Sequence, residues 1–186
     1  FSGSLPKSAV ELVWYCGFIS KARLALTYDD YYEETVTIEK VLPVLLSLPT
    51  AQIMTELVLG MTDFDGEPNY DEIIPILCGS EARPPLRKLY LGDFQYPDDT
   101  EMSWFIVGDI SEIWQAYPLL ERVIIQGSEI ELGEIRAATL REFEVHTSNL
   151  SRDNISSIVS AHWPNLQKLE IWFGDSNYGA EGDIAD

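Results

Sequence analysis

Cysteine is scarce: the 186 residues contain two, Cys16 and Cys78. Two well-separated thiols give neither a disulfide framework nor a structural zinc site. Both follow apolar residues (Val-Trp-Tyr-Cys16 and Ile-Leu-Cys78), so they read as reduced core thiols of a cytoplasmic protein. Histidine is equally rare. His146 is expected to point outward from a strand and His162 to end a helix. That leaves no nucleophile–base pair and too few nitrogen or sulfur ligands for zinc. No glycine-rich loop is built to cradle phosphate, so neither a cofactor nor a metal is expected. The loop Asp63-Phe-Asp65-Gly-Glu67-Pro-Asn69-Tyr-Asp71 begins like a calcium loop but has Pro68 and Ile74 where Gly and Glu are required, so it reads as a solvated acidic loop. No apolar run approaches the ~20 residues needed to span a bilayer. Basic residues are also few: 12 Lys and Arg face 31 Asp and Glu, for a net charge of −19. Such a surface repels phosphate backbones and anionic lipid, which excludes nucleic acid and membrane as partners. A basic protein would be steered toward it.

What the chain does contain is enough apolar residue, 46%, to bury a core. It also contains a recurring frame. Leu166-x-x-Leu169-x-Ile171 places an apolar residue, then two more at +3 and +5. This is a buried arrival followed by a strand with one face inward. The frame recurs at Leu140/Phe143/Val145, Leu120/Val123/Ile125, Leu86/Leu89/Leu91 and Met54/Leu57/Leu59. The starts at 54, 86, 120, 140 and 166 give steps of 32, 34, 20 and 26, the longer ones carrying insertions at 61–80 and 93–105. Leucine-rich repeats run about 20–29 residues. The expected fold is therefore α/β: a leucine-rich-repeat-like solenoid, with a curved parallel sheet on the concave side and irregular helices on the convex side.

The reading is one domain, 1–186. Residues 1–50 supply N-terminal strands and a helix, 51–174 the repeat stack, and 175–186 an acidic tail that starts an incomplete repeat. Glu11–Cys16 and Lys21–Tyr28 read as strands. The acidic, Tyr-rich turn Asp29–Glu34 leads into a helix over 36–48 that Pro43 should kink or delay. Asp109-Ile-Ser-Glu112 has capping-box spacing and opens a helix through Ala116. Gly127–Gly133 reads as a turn. Ser151 caps a helix through His162 that buries Ile155, Ile158 and Val159. Leu166, Leu169 and Ile171 form the last core layer. The start at Phe1, without Met, and the lack of a polar C-terminal cap make the sequence read as part of a longer chain.

Side chains alternate along a strand, so residues flanking each buried pair share the outer face. Three columns result: Glu56, Lys88, Arg122, Glu142, Lys168; then Val58, Tyr90, Ile124, Glu144, Glu170; then Gly60, Gly92, Gln126, His146, Trp172. The first reads as a cross-strand charge ladder. The others expose a Tyr–Ile–Trp surface rimmed by Glu144 and Glu170, a composition suited to a protein interface. The candidate partner-binding residues are Tyr90, Ile124, Gln126, Glu144, His146, Glu170 and Trp172. Asp29–Glu34 is a second candidate contact for a basic partner.

Several segments resemble a bacterial leucine-rich-repeat family of unknown function. They are Leu91-Gly-Asp-Phe, Glu101-Met-Ser-Trp-Phe-Ile-Val-Gly-Asp109, Leu169-Glu-Ile-Trp172, Tyr178-Gly-Ala-Glu-Gly-Asp183 and the opening Phe1-Ser-Gly. The resemblance covers essentially the whole chain and implies a cytosolic bacterial repeat protein with no established enzymatic activity. It supplies no catalytic residues. The functional expectation is thus a non-enzymatic protein–protein interaction module using the concave face. The alternative is an immunity-type inhibitor that neutralises a basic toxin or nuclease through its acidic surface.

Overall fold

A computed structural model of the chain describes residues 9–28 and 37–181. The acidic turn Asp29–Glu34, residues 1–8 and residues 182–186 lie outside the described residues. The chain opens as a hairpin of β1 (Val10–Tyr15) and β2 (Phe18–Leu24). Its two-residue turn is Cys16-Gly17, with φ of 51° and 84°. Positive φ at both turn residues matches the twist of the flanking strands. Cys16 is therefore exposed at a hairpin tip rather than buried, while Cys78 lies in the core as expected.

Each sequence frame then delivers one strand: β3 (Glu56–Gly60), β4 (Lys88–Asp93), β6 (Arg122–Gln126), β8 (Glu142–His146) and β9 (Lys168–Trp172). Together with the hairpin they form a seven-stranded sheet in the order β1-β2-β3-β4-β6-β8-β9. Only the β1–β2 pair is antiparallel. The lead residues Met54, Leu86 and Leu140 have no exposed surface, and Leu120 has 2%. Leu57, Leu59, Leu91, Val123, Ile125, Phe143 and Val145 point to the same face and are equally buried. Each such side chain contributes roughly 1.5–3 kcal/mol of transfer free energy, which fixes which face of the sheet turns inward.

Helices cover that face: α1 (Ile38–Ser47), α2 (Ile73–Gly79), α3 (Ile113–Ala116) and α4 (Arg152–Val159). Leu42, Leu46, Ile73, Leu77, Ile113 and Ile158 join one core cluster with the strand residues. Helix α1 starts late, at Ile38, and runs through Pro43, whose ring is exposed. Among the described residues no helix is long and apolar enough to cross a membrane.

Other expectations also need correction. The segment 127–133 is not a plain turn, because β7 (Ser128–Glu131) pairs in parallel with β5 (Ile106–Asp109) as a separate two-stranded sheet. Ser128 and Ile130 are buried between exposed Glu129 and Glu131, a short alternation that forms a strand. The capping box does not form. Asp109 Oδ1 instead accepts the Ser111 N–H at 2.8 Å, closing a tight local turn before α3. Ser151 does cap α4, accepting the Asn154 N–H at 3.2 Å, but the helix ends at Val159, which is 74% exposed. Finally, Leu169 is 46% exposed and Leu166 and Ile171 are only half-buried. Strand β9 is the sheet edge, so among the described residues nothing packs beyond it.

Candidate binding groove on the open sheet face

The face turned away from the helices is built by the register. Parallel, in-register strands set equivalent residues side by side, so a row of side chains crosses the sheet. The first row is Lys21, Glu56, Lys88, Arg122, Glu142, Lys168. Its opposite charges do pair: Lys21 lies 2.7 Å from Glu56, Lys88 lies 3.9 Å from the same carboxylate, and Arg122 Nε lies 3.1 Å from Glu142. Lys168 leaves the row and turns to the second one. Most of these pairs are partly solvated, so each adds at most about 1 kcal/mol.

The second row is Arg23, Val58, Tyr90, Ile124, Glu144, Glu170. Glu144 is its centre and is only 6% exposed. Its Oε1 accepts Arg122 Nη2 at 3.0 Å and Lys168 Nζ at 2.9 Å. Glu144 and Glu170 sit directly opposite each other, an arrangement that repels. Lys168 bridges them, lying 3.0 Å from Glu170 Oε2. Its hydrogen bond holds the Glu170 carboxyl below the usual carboxylate range, helped by the Trp172 indole, and the hydrogen bonds to Glu144 and then Glu170 raise the lysine's own pKa. Burial pushes the Tyr90 hydroxyl far above its ordinary range, reinforced by the charges of Asp93 and Glu144. It is therefore a neutral donor at physiological pH.

The third row departs from the expected column. Gly60 pairs with Asp93, not Gly92, because β4 bulges there. Gly92, at φ 83°, lies against the Gln126 backbone, and the bulge swings Asp93 onto Arg23 Nε at 2.6 Å. Arg23 Nη1 also lies 3.6 Å from Glu11. Further along the row, the His146 and Trp172 rings pack with centroids 4.5 Å apart. Trp172 Nε1 donates to Glu170 Oε1 at 3.2 Å. His146 Nε2 lies 3.4 Å from that oxygen and 3.9 Å from Glu144 Oε2.

Above these rows runs a groove of about 880 Å³. Five of the seven candidate residues line it: Tyr90, Ile124, Gln126, Glu144 and His146. Ile124 and Gln126 are floor rather than exposed surface, at 8% and 9% exposure. The loop after β4 reaches Gln126, whose Nε2 donates to the Phe94 carbonyl at 2.9 Å. Glu170 and Trp172 stand outside the lining, on the β9 edge, joined to it through His146 and Lys168. The sequence reading missed one whole end of the groove: Glu11, Arg23, Phe64, Asp93, Asp98 and Asp99. Arg23 was findable, since the alternation of Ala22, Arg23 and Leu24 already turns it outward. The loop residues carry no periodic signal. The groove offers neutral donors, aromatic faces and engaged charges, which is chemistry for holding a ligand by shape and hydrogen bonding.

The fold and groove thus define an α/β protein with a largely parallel central sheet, a few helices on one face and an open face opposite. No protein-family model matches the chain, and no curated protein matches it. Among solved structures it is similar to a Bacteroides fragilis protein whose crystal structure was determined as a Northeast Structural Genomics Consortium target. The two share 25% sequence identity with a TM-score of 0.72. The match covers 87% of this chain and 45% of that one, so the chain spans about half the length of its neighbour.

Proposed function

We propose that the chain is a leucine-rich-repeat solenoid of the bacterial family its motifs resemble, acting in the cytoplasm as a non-enzymatic module whose concave face binds a protein partner. One observation carries the reading: the groove over β2, β3, β4, β6 and β8 combines aromatic side chains with a charged floor whose members are already positioned by one another. Charges fixed in advance lose little entropy when a partner arrives, which favours recognition. Tyr90 and Trp172 are the aromatic anchors, of the type that dominates interface energetics. The test is affinity capture with the wild-type chain and with Tyr90→Ala/Trp172→Ala. The double variant is expected to lose the captured partner while its circular dichroism stays unchanged. Retention of the same partner at the same level contradicts the reading.

The net charge of −19 favours a second, narrower reading, an immunity-type inhibitor of a basic toxin or nuclease. It predicts tight binding that weakens steeply with salt. Salt-independent affinity argues against it.

A further inference from the structure

We propose that Glu144, His146 and Glu170 form a site for one divalent transition-metal ion of the zinc class. Three donor atoms from two adjacent strands converge there, all within 4.8 Å of one another. The register places the three residues side by side. Glu144 and Glu170 are cross-strand partners, and His146 lies two residues beyond Glu144 on the same face. Atoms bound to one ion at about 2.0–2.2 Å stand roughly 3–3.5 Å apart. The observed separations of 3.4 Å and 3.9 Å from His146 Nε2 to Glu170 Oε1 and Glu144 Oε2 lie near that range, and the set as a whole, spread over no more than 4.8 Å, must close onto the ion.

The state of the imidazole bears on the same point. His146 Nε2 has essentially no accessible surface and no hydrogen-bond partner. Trp172 packs against the ring and helps hold its orientation. A buried imidazole nitrogen aimed at two carboxylate oxygens without a hydrogen bond is an unused donor or an unused lone pair. An ion between the three atoms uses it.

Lys168 sets the terms. Its ammonium holds Glu144 Oε1 and Glu170 Oε2, leaving on the His146 side Glu144 Oε2 and Glu170 Oε1, the latter also accepting the Trp172 indole N–H at 3.2 Å. The lysine and a metal ion would therefore share two carboxylates from opposite sides and repel each other. Lys168 is 47% exposed, so it can yield to solvent. One nitrogen and two carboxylate oxygens suit Zn²⁺, Co²⁺ or Mn²⁺ better than soft Cu(I). Three protein ligands leave a coordination position open. The inference does not rest on the protein-partner reading, because it needs no second protein.

The test is calorimetric titration of the chelator-stripped chain with ZnCl₂, with visible absorption of bound Co²⁺ as an independent readout. One equivalent is expected to bind. His146→Ala should weaken binding by at least about 100-fold, the upper end of what loss of a mere supporting partner costs. Glu170→Gln should weaken it as well, and Lys168→Met should tighten it by removing the competing ammonium. Asp153→Asn, which removes an exposed acid on α4, should change nothing. Circular dichroism of each variant separates lost binding from lost fold. Absence of binding at millimolar Zn²⁺ overturns the proposal. So does equal binding by folded His146→Ala, which would show diffuse attraction to an acidic surface, or unchanged affinity in Lys168→Met.

Discussion

Gly92 and Gly17 hold nearly the same backbone angle, φ +83° and +84°, but in different surroundings. A Cβ at Gly17 would find nothing within 4 Å. A Cβ at Gly92 would lie 2.8 Å from the Gln126 carbonyl carbon and closer still to its oxygen. The two alanine variants therefore separate conformational strain from close packing. Left-handed strain alone costs about 1–2 kcal/mol, which is the whole loss expected for Gly17→Ala. Gly92→Ala adds a clash with backbone that cannot rotate away, roughly another 1–3 kcal/mol. The Gly92 N–H also donates to the buried Tyr70 hydroxyl at 2.9 Å, and parting β4 from β6 disturbs that bond. A total of about 3–5 kcal/mol is expected, a large share of a typical domain's 5–15 kcal/mol. Urea denaturation followed by circular dichroism measures both variants. Equal losses would refute the argument that the approach of β4 to β6, rather than φ alone, requires glycine. The site depends on this approach, because the bulge at Gly92 sets Asp93 against Arg23.

Other outcomes follow from the same contacts. Tyr70→Phe should cost about 1–3 kcal/mol in the same assay, because the hydroxyl that bonds Leu59 O, Gly60 O and the Gly92 N–H leaves buried groups unpaired. Ellman's reagent should modify one thiol quickly, exposed Cys16. Burial pushes the Cys78 thiol from 9.0 up to about 11, so it should react only as the fold opens, and two fast thiols would contradict its placement. Since folding disfavours the Cys78 thiolate, its contribution to stability is complete below pH 9.0 and is lost as pH rises toward about 11, a slope that Cys78→Ala should remove. Glu170 behaves oppositely. Its carboxyl sits below the ordinary 4.5, so its contribution is present above pH 4.5 and lost as pH falls through the lower folded value; Glu170→Gln should flatten that acid limb.

The strands of the sheet were legible because each frame couples an arriving apolar residue to a period-2 pair, and burial on one face leaves a single register. That same register made the rows Glu56–Lys88 and Glu144–Glu170 readable before any coordinates. What escaped the sequence depends on contacts between distant segments. The loop carrying Phe94 bonds Gln126 and makes floor of a residue expected at the surface. Strand β7 finds β5 across 22 residues, a pairing that no local pattern specifies. The convergence of Glu144, His146 and Glu170 needed a diagonal reading between two rows, since the two glutamates lie in the second row and His146 in the third. Cys16 was misplaced because an apolar neighbourhood is a weaker guide than the two-residue turn that follows from Cys16-Gly17.

The central claim is that the open face, not the helical side, meets the partner. Site-specific photocrosslinking tests it most directly. A photoreactive residue replaces Tyr90, which lines the groove, or Val159, which is exposed on α4 outside it. The account predicts that one partner is crosslinked from position 90 and not from position 159. The same partner crosslinked from 159 and absent from 90 would contradict it.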